Sequence, residues 1–318
     1  MSKPLFLVKK PGMQTTIQDK GRTGYQQFGV VASGAMDQFS YQAGNLLVGN
    51  NRGDAALELT MAGPHLLAQS DAVAVITGAD LQPQLNGQPV SRWISFSIKE
   101  GDELIFHGAK KGVRAYLCIS GGIAGEKTLG SQSTYMKAKM GGIEGRSAEK
   151  GDTIYKNVED RTVKPGKGLH YSFIPDYDDL SPLRVVPGPE EEDFSKDGLH
   201  AFYNTEYIVT QEADRMGMRL EGTPIKHLDK ADILSDAVAY GTIQVPKNGQ
   251  PMILMADRQT TGGYTRIANV ISTDLPRLAQ LLPGKKISFE KVSVETAHSL
   301  MKKQEKTLTQ IEFLNSES

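Results

Sequence analysis

The chain has 318 residues, with 36 Lys and Arg against 37 Asp and Glu and a formal net charge of −1. This length accommodates two domains, or one large domain, with a well-buried core. The balanced charge excludes general attraction to nucleic acid or anionic membranes. The one cysteine, Cys118, excludes an internal disulfide framework. The start MSKPLFLVKKPG has no apolar leader, and no apolar run approaches the ~20 residues of a membrane span, so we expect a soluble cytoplasmic protein.

Short apolar segments rich in Val, Ile, Tyr and Phe recur between Gly, Pro, Asp or Asn residues. In chain order they are AVAVITGAD, WISFSIKEGDELIFHG, VRAYLCISGG, LRVVPGP, EYIVT, GTIQVPKNGQPMILMAD and KKISFEKV. Runs this short are typical of strands in barrels or sandwiches. KEGDEL and PKNGQP resemble hairpin turns, because Gly adopts the positive φ that tight turns need.

Three segments have the apolar spacing of helices. The first begins at Asp37 and ends before Gly49, the second begins near Thr273 and ends before Pro-Gly, and the third begins near Ser293. The sequence therefore predicts a mainly β protein with a few helices.

Repeated short sequences suggest two related β units. SDAV and NGQP each occur twice, in the same order in the two halves of the chain. The segment 159–182 is polar and contains Pro and Gly, as is typical of a domain boundary. We expect a first unit at 1–175 and a second unit, with a C-terminal helix, at 176–318.

No motif predicts a cofactor attached to this chain. GGIAGEKT follows a strand as a phosphate-binding P-loop would, but Glu126 stands where the motif requires Gly before Lys127. MKAKM lacks the arrangement of a biotinylated lysine segment, and the six histidines form no zinc-binding pattern. We therefore expect no biotin and no metal on this chain.

Polar clusters adjoin several of the apolar segments. In ILMADRQTTGGYTRIANV, an apolar run leads at Asp257 into hydrogen-bonding residues and a Gly pair. Similar clusters lie in PGMQTTIQDKGRTGYQQFGV, SGAMDQ, ITGAD and QEADRMGMRLEG. Arg suits carboxylate or phosphate, and Thr and Gln suit an amide. The alternative for each cluster is a hydrogen-bonded turn at the end of a β-barrel.

These segments together resemble the allophanate-hydrolase-subunit-2 family. The matching segments are PGMQTTIQDKGRTGYQQFGVVASGAMD, ALELTMAGP, VITGAD, LGSQST, VVPGP, ADRMGMRLEG, IQVPKNGQPMILMADRQTTGGY and STDLPRLAQLLPG. The family includes the C subunit of bacterial 5-oxoprolinase, the KipA-like proteins and part of the carboxyltransferase region of urea carboxylase. The resemblance implies two cyclophilin-like β-barrel units. Glu190 to Glu192 depart from the family pattern, which argues against a substrate contact in that loop.

The resemblance implies one component of an ATP-dependent 5-oxoprolinase, which converts 5-oxo-L-proline to L-glutamate. ATP activates the lactam carbonyl, after which water opens the ring. ATP would bind mainly on partner subunits, and the chain alone would be inactive. Two partners are implied. One is an allophanate-hydrolase-subunit-1 or KipI-like protein (the B subunit of 5-oxoprolinase), and the other is a LamB/YcsF-like protein (the A subunit).

Two other functions stay open. Kinship with urea carboxylase implies a carboxyltransferase component of a biotin-dependent urea or amide carboxylase. Kinship with the KipA-like proteins implies a regulatory binding protein that antagonises a kinase inhibitor. Neighbouring genes and assay of the reconstituted complex would discriminate among the three.

Side-chain chemistry and position in these motifs select the candidate site residues. We expect Asp257, Arg258 and Gln259 to be catalytic. The expected substrate-binding residues all carry hydrogen-bonding side chains and are Gln18, Asp19, Arg22, Asp80, Arg215, Thr260, Thr261 and Tyr264.

Overall fold

Strands predominate along the chain, which confirms the prediction of a mainly β protein with a few helices. The computed structural model describes residues 2–157, 163–179 and 181–316. Its α-helices are α1 (Gln38–Leu47), α2 (Lys196–Asn204), α3 (Leu275–Ala279) and α4 (Val294–Ser316). Its strands are β1 (Ser2–Lys10), β2 (Gln14–Gln18), β3 (Ala56–Thr60), β4 (His65–Ala68), β5 (Ala72–Asp80), β6 (Gln84–Leu85), β7 (Gln88–Pro89), β8 (Phe96–Ile98), β9 (Glu103–Ile105), β10 (Lys111–Ile119), β11 (Ile123–Ala124), β12 (Thr153–Asn157), β13 (Leu183–Pro187), β14 (Tyr207–Val209), β15 (Gly217–Gly222), β16 (Asp232–Ala237), β17 (Thr242–Gln244), β18 (Met252–Leu254), β19 (Thr261–Tyr264), β20 (Arg266–Val270), β21 (Lys286–Ile287) and β22 (Phe289–Lys291).

The chain divides into two compact units. Unit 1 comprises Met1–Arg22, Ser33–Tyr177 and Glu305–Ser318. Unit 2 comprises Thr23–Ala32 and Asp178–Gln304, so α4 belongs partly to each unit. Part of the expected boundary segment lies outside the described residues.

Unit 1 contains two sheets. One has the strand order β11-β12-β1-β4-β9-β6-β7, and the other has the order β2-β3-β10-β5-β8. The apolar residues of β10 alternate between two buried clusters. Leu117 packs in the cluster that includes Leu57 and Ile76, whereas Cys118 packs with Leu47 of α1. Burial also raises the pKa of the Cys118 thiol, which keeps it protonated.

Unit 2 is built on one large sheet with the order β21-β14-β15-β18-β17-β20-β13-β22. A separate two-stranded sheet pairs β16 with β19. Helix α2 is amphipathic and begins at a Ser195 cap that accepts from the Gly198 amide. Its Phe202 stacks on Phe289 of β22 with ring centroids 4.5 Å apart, which fixes the helix on the sheet.

Short sequence motifs predicted the positions of turns and helices better than they predicted which strands pair. PKNGQP joins β17 to β18, which pair as a hairpin, and Gly249 has a φ of 74°. KEGDEL contains a turn with Gly101 at a φ of 88°, but the hairpin prediction is wrong because β8 pairs with β5 whereas β9 pairs with β4. The first SDAV copy, from Ser70, leads into the largely buried strand β5, whereas the second copy, from Ser235, lies mostly in the exposed strand β16. Burial and pairing partner depend on the whole unit, which short motifs do not specify.

The helix predictions are confirmed for α1 and α4, and α3 is shorter than expected. Asp37 caps α1 by accepting from the Ser40 amide at 2.9 Å. Among the described helices, none combines the length and apolar character that crossing a membrane needs.

Candidate functional site

The backbone hydrogen bonds between β18 and the β15 side of the sheet continue past the end of β18 to Asp257, the first residue of the candidate segment Asp257–Tyr264. The Met255 amide donates to the Met216 carbonyl at 2.9 Å, and the Asp257 amide donates to the Arg215 carbonyl at 2.7 Å. The segment then becomes β19 and pairs with β16. Backbone hydrogen bonds therefore fix both ends of the polar cluster in unit 2.

Asp257 and Arg215 form a buried ion pair in unit 2. Arg215 donates from Nε to Asp257 Oδ2 at 3.0 Å and from Nη2 to Oδ1 at 2.9 Å. Each residue is only 5% exposed. This bidentate geometry lets each charge neutralise the other and fastens the candidate segment to the bend that precedes β15. The structure thus brings these two predicted site residues together, and their roles toward a substrate stay predictions.

Arg258 has a different environment from its neighbour. Its half-buried guanidinium donates to the carbonyls of Val238 at 3.3 Å and Met255 at 3.4 Å, and it lies over the Tyr240 ring at 5.9 Å. Burial lowers the pKa of Arg258, and Tyr240 acts in the opposite direction. Among the described residues, no carboxylate forms an ion pair with Arg258. The guanidinium therefore has donors left for an anionic ligand.

The other predicted residues of the segment differ in exposure. The Gln259 and Thr261 side chains are exposed, and Tyr264 is 39% exposed. The Thr260 carbonyl accepts from the Val238 amide at 3.1 Å, which ties this turn to the chain beside β16. Gln259, Thr261 and Tyr264 can reach a ligand in solution, whereas Thr260 contributes its backbone to the local structure.

The two glycines of the segment have different surroundings. A Cβ on Gly262 would lie 2.3 Å from Gln244 Nε2, whereas a Cβ on Gly263 would meet its nearest atom, Ser235 Oγ, at 3.5 Å. Gln244 is fully buried, and its Nε2 donates to the Tyr264 carbonyl at 3.2 Å. Gly262 is thus required for the close approach of the Gln244 amide to β19.

We expect Gly262→Ala to destabilise the protein by about 1–3 kcal/mol, because the added methyl group displaces a buried amide. Gly263→Ala is the matched control and should change stability by less than about 1 kcal/mol, because its methyl group has ordinary contacts. Urea unfolding of the two variants measures the difference. Equal stabilities would show that Gln244 is free to move.

An ion-pair cluster around Arg266 was not predicted from the sequence. Arg266 is 8% exposed and binds Glu190 through Nε at 2.7 Å and Nη2 at 2.5 Å, and it binds Asp236 through Nη1 at 2.9 Å. Burial by itself would raise the pKa of Glu190, but the hydrogen bonds from Arg266 lower it. Glu190, the first of the three residues Glu190 to Glu192 that depart from the family pattern, thus has a partner in β20.

In unit 1, the Asp19 carboxylate is the centre of a hydrogen-bonded cluster. It accepts from the Gly21 amide at 2.8 Å, the Gln132 amide at 2.6 Å, Ser131 Oγ at 2.6 Å and Ser133 Oγ at 2.5 Å. These four hydrogen bonds hold the carboxylate in one orientation. The cluster joins the sequence motifs TTIQDKGR and LGSQST, which the chain separates by more than a hundred residues.

Gln18 and Arg22 belong to the same cluster. Arg22 is 1% exposed and donates to the carbonyls of Thr128, at 3.2 Å, and Ser133. Gln18 Nε2 donates to the Thr134 carbonyl at 3.1 Å. The structure therefore brings three of the predicted substrate-binding residues together.

Asp80 contacts a different set of residues. Its Oδ1 accepts from the Gln82 amide at 3.0 Å and lies 3.7 Å from Arg92 Nε. These contacts terminate β5 and do not include the residues around Asp19.

Gln18 and Gln244 share an arrangement that the two units repeat. Each ends a buried Thr-Ile-Gln strand segment, each is fully buried, and each donates from Nε2 to a backbone carbonyl. In both, Oε1 is buried and has no hydrogen-bond partner within the described part of the chain. A buried acceptor of this kind favours a donor N–H. The repeated TIQ triplet was the sequence signal that could have identified Gln244.

The segment GGIAGEKT does not have the structure of a P-loop. Ile123 and Ala124 form β11, Glu126 bridges to Gly142, and the chain continues through bridges rather than a helix. In the parts of the chain that the structure describes, no group of three or more His, Cys, Asp or Glu residues could hold a metal ion.

Known proteins match nearly the whole length of this chain. The family model described as "Carboxyltransferase domain, subdomain A and B" matches residues 28–291. The chain is 38% identical to the C subunit of 5-oxoprolinase from Haemophilus influenzae, covering 94% of each chain. It is 34% identical to the C subunit of 5-oxoprolinase from Escherichia coli, covering 96% of this chain and 97% of the relative.

A solved structure has the same fold within a longer protein. The crystal structure of the K. lactis urea amidolyase matches 98% of this chain and 20% of its own, with a TM-score of 0.92 and 31% identity.

Proposed function

Because the chain belongs to the family of the carboxyltransferase domain, subdomains A and B, we propose that it is the C subunit of an ATP-dependent 5-oxoprolinase. This enzyme converts 5-oxo-L-proline to L-glutamate. The observation that carries the proposal is the near-complete mutual coverage with two proteins named as the C subunit of 5-oxoprolinase. The family match also confirms the resemblance that the sequence motifs indicated.

The geometry of unit 2 supports this chemistry. A lactam is a poor electrophile, and ATP supplies the phosphoryl group that activates its carbonyl. The substrate also carries a carboxylate, for which the Arg258 guanidinium is a suitable partner because it has no carboxylate of its own among the described residues.

Two partner subunits complete the enzyme in this proposal. The GGIAGEKT segment does not form the cradle that nucleotide phosphates require, so we assign ATP mainly to the partners. The partners we propose are the allophanate-hydrolase-subunit-1 or KipI-like protein and the LamB/YcsF-like protein, which we call the KipI-like and LamB/YcsF-like partners. The chain contributes substrate-positioning residues rather than the nucleotide site.

We expect the isolated chain to have negligible 5-oxoproline-dependent ATPase activity and to gain it when the KipI-like and LamB/YcsF-like partners are added. ADP release with and without 5-oxo-L-proline measures this. The two partners without the chain are the control. Robust turnover by the isolated chain would contradict the requirement for partners, and an inactive complete complex would contradict the function itself.

Biotin-dependent carboxyl transfer is a second candidate function, supported by the fold match to the urea amidolyase structure. In that case the biotin carrier belongs to another chain, and urea or an amide is the acceptor. Companion genes for a biotin carrier and a biotin carboxylase would favour this alternative. Companion genes for the KipI-like and LamB/YcsF-like partners would favour the oxoprolinase.

A further inference from the structure

The guanidinium of Arg258 combines two long hydrogen bonds with an aromatic contact. Nε donates to the Val238 carbonyl at 3.3 Å, and Nη1 donates to the Met255 carbonyl at 3.4 Å. Its central carbon lies over the Tyr240 ring, 5.9 Å from the ring centroid. Long hydrogen bonds restrain orientation only weakly, because N–H···O bonds in proteins are typically about 2.7–3.2 Å long. The ring therefore adds a restraint that the two carbonyls do not supply.

One nitrogen of the Arg258 guanidinium has donors left for a ligand. Nη2 makes no hydrogen bond to the residues that the structure describes. The side chain is half-buried, so solvent and small molecules can reach it. A carboxylate is bound best by two N–H donors of one guanidinium plane. Tight binding therefore requires that this plane has a fixed orientation.

The turn that carries Tyr240 is held by hydrogen bonds on both sides of that residue. It lies between β16 and β17. The Ala239 amide donates to Thr242 Oγ1 at 3.1 Å, and the Gly241 amide donates to the Leu254 carbonyl at 2.8 Å. The second of these bonds ties the turn to β18, the strand that leads into Arg258. The ring and the guanidinium are thus placed by the same part of the sheet.

The contact between Tyr240 and Arg258 is partly shielded from water. Both side chains are half-buried, and Tyr240 is not part of the buried apolar core. The negative face of an aromatic ring attracts a guanidinium, and the attraction grows as water is excluded. Arg also stacks on aromatic faces because its guanidinium is flat. A contact of this kind changes an affinity by about three- to thirtyfold.

We propose that Tyr240 is a positioning residue, whose ring holds the Arg258 guanidinium in the orientation that binds the carboxylate of 5-oxo-L-proline. This inference rests on the proposed function, which assigns that carboxylate to Arg258. Tyr240 acts through the guanidinium and does not itself contact the substrate. The phenol oxygen has no part in this role, so a phenylalanine ring serves equally well.

The test is the kinetics of glutamate formation by the reconstituted complex. Tyr240→Leu removes the ring, and we expect it to raise KM for 5-oxo-L-proline about three- to thirtyfold. The value of kcat should change little, because the carboxylate is not the group that reacts. Tyr240→Phe keeps the ring and should stay within about twofold of the wild-type KM. KM does not depend on how much of the chain is folded, so partial unfolding of a variant does not obscure the result.

A double-mutant cycle shows whether Tyr240 acts through Arg258. Once Arg258→Ala has removed the guanidinium, adding Tyr240→Leu should lower kcat/KM no further, because the ring then has no cation to hold. An equal loss from Tyr240→Leu with and without Arg258 would contradict the positioning role.

A second cation–ring contact in unit 2 supplies the matched control. Lys291 Nζ of β22 lies over the Tyr203 ring of α2 at 5.8 Å from the centroid. Tyr203→Leu removes a ring from a contact of nearly the same length, and we expect it to leave KM and kcat unchanged. A rise in KM in this variant would show that the effect is not specific to Tyr240.

The outcomes separate this role from the proposed function. If the complete wild-type complex forms no glutamate, the proposed function fails and the role of Tyr240 fails with it. If the wild-type complex is active and Tyr240→Leu has a normal KM, only the positioning role fails, whatever the change in melting temperature. The positioning role also fails if Tyr240→Phe raises KM as much as Tyr240→Leu does, because the phenol oxygen rather than the ring then matters.

Discussion

Replacing Arg258 with lysine is expected to lower kcat/KM of the reconstituted complex about a hundredfold or more, with little change in melting temperature. Losing one charged hydrogen bond to the reacting ligand typically costs about 2–4 kcal/mol of transition-state stabilisation. Lysine keeps the positive charge but loses the planar fork. Stability should change little, because the hydrogen bonds of Arg258 to Val238 and Met255 are long, at 3.3 and 3.4 Å.

Arg219→Lys is the control for this substitution. Arg219 lies on β15 in the same unit, is exposed and pairs with Glu212 at 2.9 Å, so its replacement should leave turnover and melting temperature unchanged. If Arg258→Lys keeps normal turnover and lowers the melting temperature, Arg258 supports the local structure and does not bind the substrate.

Replacing Asp257 with asparagine is expected to destabilise the protein by about 3–5 kcal/mol, because it leaves the buried charge of Arg215 without its bidentate carboxylate. Glu212→Gln, which breaks an exposed ion pair with Arg219, should cost less than about 1 kcal/mol. Urea unfolding of both variants gives the comparison. Normal stability of Asp257→Asn with complete loss of turnover would contradict the structural role and support the predicted catalytic one.

The sequence predicted the part of the candidate site whose residues are close together in the chain. Gln18 ends β2, and Asp19 and Arg22 follow it directly in the chain, so the proximity of the three follows from spacing alone. The capped helix α1 and the β17–β18 hairpin were likewise predicted from residues near one another in the chain.

The rest of the site depends on partners far apart in the chain. Arg215 meets Asp257 across 42 residues, and Arg266 meets Glu190 across 76. A charged residue in a motif does not indicate whether its countercharge is a ligand or another side chain. For Arg215 the countercharge is Asp257, and only the folded sheet brings the two together. Arg258, which follows Asp257 directly, has no carboxylate partner among the described residues, a difference that the sequence ADRQ does not reveal.

The most direct test of the proposed function is the yield of L-glutamate from 5-oxo-L-proline and ATP by the KipI-like and LamB/YcsF-like partners with and without this chain. We expect glutamate to form together with ADP only when the chain is present, and urea with a biotin carrier to give no carboxylated product. Equal glutamate formation without the chain, or carboxylation of urea by the complex, would contradict the assignment to 5-oxoprolinase.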